Sequence, residues 1–188
     1  MASPAQANAG VPMIFVTLPG MLLALLPIIA IESKVLIQAF NIGKVQIIKY
    51  TALTNAISTI IGIPLAWLIH TVLLVGFEYS YFVLFPHLNL FSNNTVPLAL
   101  SVTLGAAWLG PFENHLYWMV PAASLFLLIP YFFASWYIEY QMIRRLLKNV
   151  ENGLCRSATL RANIISYSFL AIIAVIWLSS SIIEKKFS

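Results

Sequence analysis

The segment ALLPIIAIESKVL, residues 24–36, decides the fold because it places an acid, Glu32, at the end of a long apolar run. Residues 11–31, which lead up to it, carry no charge. A helix needs about 20 apolar residues to cross the hydrocarbon of a bilayer. We therefore predict a transmembrane helix that ends at a carboxylate.

The composition of the whole chain is that of an integral membrane protein. Of its 188 residues, 61% are hydrophobic and 9% are charged, and the mean hydropathy is +0.90. Soluble domains carry roughly 25% charged residues. The net charge is +4, but the basic residues sit beside apolar segments, a pattern that favours lipid headgroups and argues against nucleic acid as a partner. The bilayer is thus the first expected partner.

Three further runs are long enough to span a membrane: residues 51–77, 116–138 and 163–183. We predict an all-α polytopic membrane protein with four transmembrane helices arranged as two tandem helical hairpins. The predicted regions are a flexible N-terminal tail or signal-peptide remnant at 1–10, a first hairpin at 11–77, an outer loop at 78–115 and a second hairpin at 116–188.

Two connecting segments leave alternatives open. Residues 98–110 form a short apolar stretch that favours a re-entrant, interfacial or packed loop, although a fifth crossing that uses the preceding apolar residues is possible. Residues 33–50 fit either an amphipathic helix on the membrane surface or an extension of the first helix into water.

The distribution of lysine and arginine predicts the orientation, because basic loops resist translocation. Eight of the ten basic residues fall in the connections 33–50 and 140–162. We expect these connections to be cytoplasmic and both termini to lie on the opposite side. The basic residues expected to face lipid headgroups are Lys34, Lys44, Lys49, Arg144, Arg145 and Lys148.

A short pattern occurs twice. TALTNAIS at 51–58 and TLRANIIS at 159–166 share the spacing T-x-x-x-N-x-x-S, and an apolar run ending in Ile-Glu precedes each of them. We interpret the chain as an internal repeat whose two halves are related by a pseudo-twofold axis along the membrane normal, as in some transporters.

This repeat predicts an intramembrane polar cluster of Glu32, Asn55, Glu139 and Asn163. A buried amide in hydrocarbon needs a partner, and a carboxylate on the adjacent helix can accept its hydrogen bond. One hypothesis is that the cluster joins the helices and that loop lysines and arginines neutralise the acids. The other is that the paired carboxylates bind a proton or a cation.

No other motif indicates catalysis or cofactor binding. The three histidines, His70, His87 and His115, do not have the spacing of haem or zinc ligands, and no phosphate-binding or hydrolase motif occurs. We expect no catalytic residue, no metal and no cofactor.

Three segments of the first hairpin carry a resemblance: ANAGVPMIF at 7–15, PIIAIESKVL at 27–36 and NAISTIIGIPLAW at 55–67. They resemble small, mostly uncharacterised bacterial membrane proteins of the cyanobacterial type, and they are similar to the filament-integrity protein FraC. The resemblance implies a bacterial plasma or thylakoid membrane and an accessory role. We therefore expect a non-enzymatic structural or accessory subunit that binds other membrane proteins or itself. The alternative is a small proton- or cation-coupled transporter or channel that uses the level of Glu32 and Glu139.

Overall fold

A computed structural model describes residues 11–84, 95–109 and 113–187. The described part is almost wholly helical, and four of its helices are long and apolar enough to cross a membrane. This confirms the all-α fold with four candidate spans, as expected of a multi-pass membrane protein. Residues 1–10, for which a tail or a signal remnant was predicted, lie outside the described residues.

The helices in chain order are α1 (Ile14–Ala39), α2 (Lys44–Ile57), a five-residue π-helical segment (Ser58–Gly62), α3 (Ile63–Leu84), α4 (Thr95–Val102), α5 (Leu116–Leu146) and α6 (Asn152–Phe187). The second span is a continuous rod made of α2, the π-helical segment and α3. The π turn ends two residues before Pro64, which has no N–H to donate to the preceding turn. We call the end at which α1 connects to α2 and α5 to α6 the connection end, and the opposite end the strand end.

Each long helix buries one stripe. In α6 the buried positions recur every three or four residues from Cys155 to Ala174, and in α5 nearly every fourth residue from Met119 to Ile143 is buried. This spacing keeps the buried side chains on one helix face. α5 and α6 share the most extensive contact, and α1 packs against both α6 and α2.

A small residue lets the second span approach α5 closely. A Cβ atom on Gly62 would lie 3.0 Å from Ile138 Cδ1 and 3.7 Å from the Cβ of Ala134. Small residues at such crossings allow helix backbones to pack tightly in membranes. The close approach brings Ser58, one turn away, within reach of α5.

The strand end is closed by a folded loop. Strand β1 (Val11–Pro12) pairs antiparallel with β2 (Trp108–Leu109), with Val11 opposite Leu109. The carbonyl of Ala107 accepts hydrogen bonds from Met13 N at 3.0 Å and from Trp67 Nε1 at 2.7 Å. α4 has eight residues, about 12 Å of helix, which is too short to cross a bilayer. The described residues of 98–110 therefore form a packed loop, and they contain no fifth span.

Two predicted boundaries were wrong in the same direction, because the helices continue beyond the apolar runs. α3 reaches Leu84, so the outer loop does not begin at residue 78. For residues 33–50 the sequence leaves both alternatives open, and α1 continues to Ala39, so residues 33–39 are an extension of the first helix. Residues 140–162 are mostly helical, because α5 ends at Leu146 and α6 begins at Asn152. Backbone hydrogen bonding does not stop where hydrocarbon ends, and these segments lack interrupting proline residues.

Candidate functional site

Six buried polar residues form a layer across the bundle. An apolar cluster that includes Leu127 and Tyr131 lies on its strand side, and a second cluster that includes Ile47 and Ile143 lies on its connection side. Glu32 is 1% exposed and Asn163 is 0% exposed. We call this set the polar layer; its members are Glu32, Asn55, Ser58, Glu139, Asn163 and Ser166.

The structure brings all four sequence-predicted residues of the cluster together. Asn55 Nδ2 donates to Glu32 Oε2 at 2.6 Å, and Asn163 Nδ2 donates to Glu139 Oε2 at 2.7 Å. Each acid lies seven residues before the end of its helix, and each asparagine lies eleven residues after the start of its own. Since every helical residue rises by about 1.5 Å, equal offsets place the four groups at matching heights.

Two serines carry the network across from one hairpin to the other. Ser166 Oγ of α6 donates to Glu32 Oε1 at 2.6 Å, and Ser58 Oγ of the second span donates to Glu139 Oε1 at 2.8 Å. Sequence reasoning did not place these serines in the cluster. The signal was present, because in both T-x-x-x-N-x-x-S segments the serine follows the asparagine by three residues and so shares its helix face. Each carboxyl group thus accepts one bond from its own hairpin and one from the other.

Further hydrogen bonds fix the donors. Asn55 Nδ2 also donates to the carbonyl of Thr51 at 3.1 Å, and Asn163 Nδ2 donates to the carbonyl of Thr159 at the same distance. These contacts to the preceding turn hold both amides in equivalent orientations. One acceptor is left over: Asn163 Oδ1 is buried and has no hydrogen-bond partner among the described residues.

The two carboxyl groups also meet each other. Glu32 and Glu139 are neighbours in the polar layer and interact with each other, and the groups that interact with them in the described part of the chain include no lysine, arginine or histidine. The expected neutralisation of the acids by loop residues is therefore not observed there. Ionised carboxylates only accept hydrogen bonds, so the contact between them is a hydrogen bond only when one of them carries a proton.

The basic residues predicted to face headgroups lie apart from the polar layer. Lys34, Lys44, Lys49, Arg144, Arg145 and Lys148 are all exposed at the connection end. Arg144 also stacks over the ring of Tyr140, with its guanidinium carbon 5.7 Å from the ring centroid. Their contact with lipid headgroups stays a prediction.

Outside the polar layer, the described residues show no site for a metal ion. They contain no group of three or more histidine, cysteine or acidic side chains that could hold one. His70 Nε2 lies 3.1 Å from the carbonyl of Thr103 and so helps to attach the folded loop to the second span. Surface cavities of about 400–500 Å³ occur in the described part, and the residues that line four of them include no member of the polar layer.

We predict that the crossing serine bonds stabilise the bundle. Ser166→Ala should lower the free energy of unfolding by about 1 to 3 kcal/mol, because it leaves a buried carboxyl oxygen without its donor. The measurement is unfolding of the purified protein in detergent. Ser179→Ala is the matched control, since Ser179 is exposed and donates only to the carbonyl of Val175 on its own helix. Equal stability of the two variants would contradict a cross-hairpin role for Ser166.

Comparisons with known proteins found no match: no protein-family model, no curated protein and no solved structure corresponds to this chain. The resemblance to FraC and to small cyanobacterial-type membrane proteins therefore stays a prediction. The function has to be argued from the polar layer and from the surfaces of the helices.

Proposed function

We propose that this chain is a non-enzymatic membrane protein that acts as a structural or accessory subunit and binds other membrane proteins. The observation that carries the proposal is the outer part of α3. Residues 75–80 are all exposed. Six consecutive residues cover every face of a helix, since one turn takes 3.6 residues.

This part of α3 has the chemistry of a protein-binding surface. It presents Val75, Phe77 and Tyr79, all of them exposed, whereas Tyr81 further along the helix is buried. The second span is too long to lie wholly in hydrocarbon: from Lys44 to Leu84 it extends about 60 Å, twice the thickness of a hydrocarbon core of about 30 Å. We place the outer part of α3 beyond the bilayer at the strand end, where an exposed apolar patch marks an interaction site. A partner that covers α3 would remove this surface from water.

The polar layer serves this function by fixing the two hairpins relative to each other; we call this role the internal lock. All four carboxyl oxygens of Glu32 and Glu139 accept a hydrogen bond from an asparagine or a serine of this chain. A network closed in this way holds two hairpins in register and leaves α3 free for a partner. We further propose that the hairpins are an internal repeat. The equivalent donors, acceptors and helix offsets of the two halves support that interpretation.

A second candidate function is transport of a proton or a monovalent cation past the acids. Two features favour it: the contact between two carboxyl groups without a basic neighbour in the described part, and the unpartnered Asn163 Oδ1. Acids within membranes often mark ion paths. Because every carboxyl oxygen of the two acids already accepts a hydrogen bond from this chain, the structural role of the polar layer is favoured over transport.

We propose a bacterial plasma or thylakoid membrane as the location, with both termini on the non-cytoplasmic side. The support is the concentration of eight of the ten basic residues near the connection end.

The accessory function predicts a partner that depends on α3. Gentle extraction of the full chain from its native membrane should retain one membrane protein at a fixed stoichiometry. Tyr79→Asp should abolish this retention, because it places a charge on a side chain that is 72% exposed in the isolated chain and would be buried by the partner. The readout is mass spectrometry of the purified complex.

The control for this experiment is Phe187→Asp, which changes an aromatic side chain that is 84% exposed at the end of α6. It should leave retention unchanged. Loss of the partner in both variants, or in neither, would count against docking on α3.

The accessory function and the transport alternative predict different results when the protein is reconstituted in liposomes. We expect the purified wild type to produce no proton or monovalent-cation flux above that of empty vesicles, because the polar layer is closed on both sides by apolar clusters. Glu32→Gln and Glu139→Gln should then behave like the wild type. Flux that is present in the wild type, abolished in both glutamine variants and kept in Lys148→Gln would establish transport and overturn the accessory function.

A further inference from the structure

A cavity of about 490 Å³ opens at the connection end between α1 and the beginning of α2. Its charged rim holds two basic side chains from different helices, Lys34 of α1 and Lys44, the first residue of α2. The lining residues include no acid among those that the structure describes. Two ammonium groups without a counterion in the lining give this cavity a strong preference for an anion.

A buried hydroxyl group in the lining lacks a partner. Ser33 is 5% exposed and lines the cavity, and its Oγ has no hydrogen-bond partner among the described residues. Buried polar groups are nearly always hydrogen-bonded, so an unpartnered hydroxyl beside two ammonium groups indicates a missing acceptor. A phosphate oxygen fits this role, because it accepts both from hydroxyl and from ammonium donors.

Below this rim the cavity is apolar. Leu26, Ile29 and Ala30 also line it, one to two turns of α1 nearer the strand end than Lys34. Leu26 is 78% exposed. A charged rim above an apolar wall matches a molecule with an anionic head and a hydrocarbon tail.

We propose that this cavity binds one anionic glycerophospholipid, with its phosphate group at Lys34, Lys44 and Ser33 and an acyl chain along Leu26 and Ile29. The bound lipid bridges α1 and α2, so it adds a contact within the first hairpin, with its phosphate group on the connection side of the polar layer. The partner proposed for α3 is not needed for this site.

The test is lipid retention by the full chain, measured by native mass spectrometry after extraction and exchange into detergent. The protein is incubated with phosphatidylglycerol, with phosphatidylcholine or with inorganic phosphate as the probe. We expect one phosphatidylglycerol per chain, little phosphatidylcholine, and no displacement of the lipid by millimolar phosphate. Equal retention of both lipids, or displacement by free phosphate, would overturn the proposal.

Three variants localise the site. Lys34→Gln combined with Lys44→Gln should weaken phosphatidylglycerol retention on the order of tenfold or more, because each basic group near a membrane surface contributes about a factor of five. Arg145→Gln combined with Lys148→Gln removes the same charge from exposed positions at the same end and should change retention little. Ser33→Ala should weaken retention without lowering the unfolding temperature of the lipid-free protein, since its hydroxyl has no partner there. If both double variants lost phosphatidylglycerol retention equally, the lipid would be held by general surface charge, and the specific site would be overturned.

Discussion

Two carboxyl groups in contact within an apolar bundle impose the main physical constraint on this protein. Moving a single ionised carboxylate into such an environment costs several kcal/mol even after relaxation. Every oxygen of Glu32 and Glu139 therefore needs a donor, and the four donors come from both hairpins. Because each acid depends on a serine from the other half of the chain, neither hairpin satisfies its own acid alone. Sliding one hairpin by a single turn would break bonds to both acids.

The surroundings of the polar layer strengthen this constraint. Apolar clusters on both sides keep water away, which makes each hydrogen bond stronger and each missing one more costly. Gly62 provides the close helix approach that brings Ser58 to Glu139. With the interior fixed in this way, the remaining opportunities for interaction lie on the surface: the fully exposed turns of α3 for a protein, and the cavity beside Lys34 and Lys44 for a lipid.

The parts of this architecture that follow from local patterns could be predicted from the sequence. Length and hydropathy define four spans, and the offset between Ile-Glu and the asparagine predicts the pairing of Glu32 with Asn55. The position of Ser58 and Ser166 in the polar layer could have been predicted from their spacing to the asparagines, but the acid that each serine bonds could not, because it depends on how two hairpins pack. The extent of α3 was also misjudged, since this helix continues beyond residue 78, where the outer loop was expected to begin. The pairing of Val11 with Leu109 joins residues far apart in sequence and has no local signal.

The most direct test of the central claim is solid-state NMR on the protein in bilayers, with labelled carboxyl carbons in glutamate and labelled Cβ carbons in serine. The reciprocal network predicts through-space correlations between Glu32 and Ser166 and between Glu139 and Ser58. Each should disappear when its serine is replaced by alanine. Carboxyl carbons that correlate with neither serine, or only with water, would contradict the account.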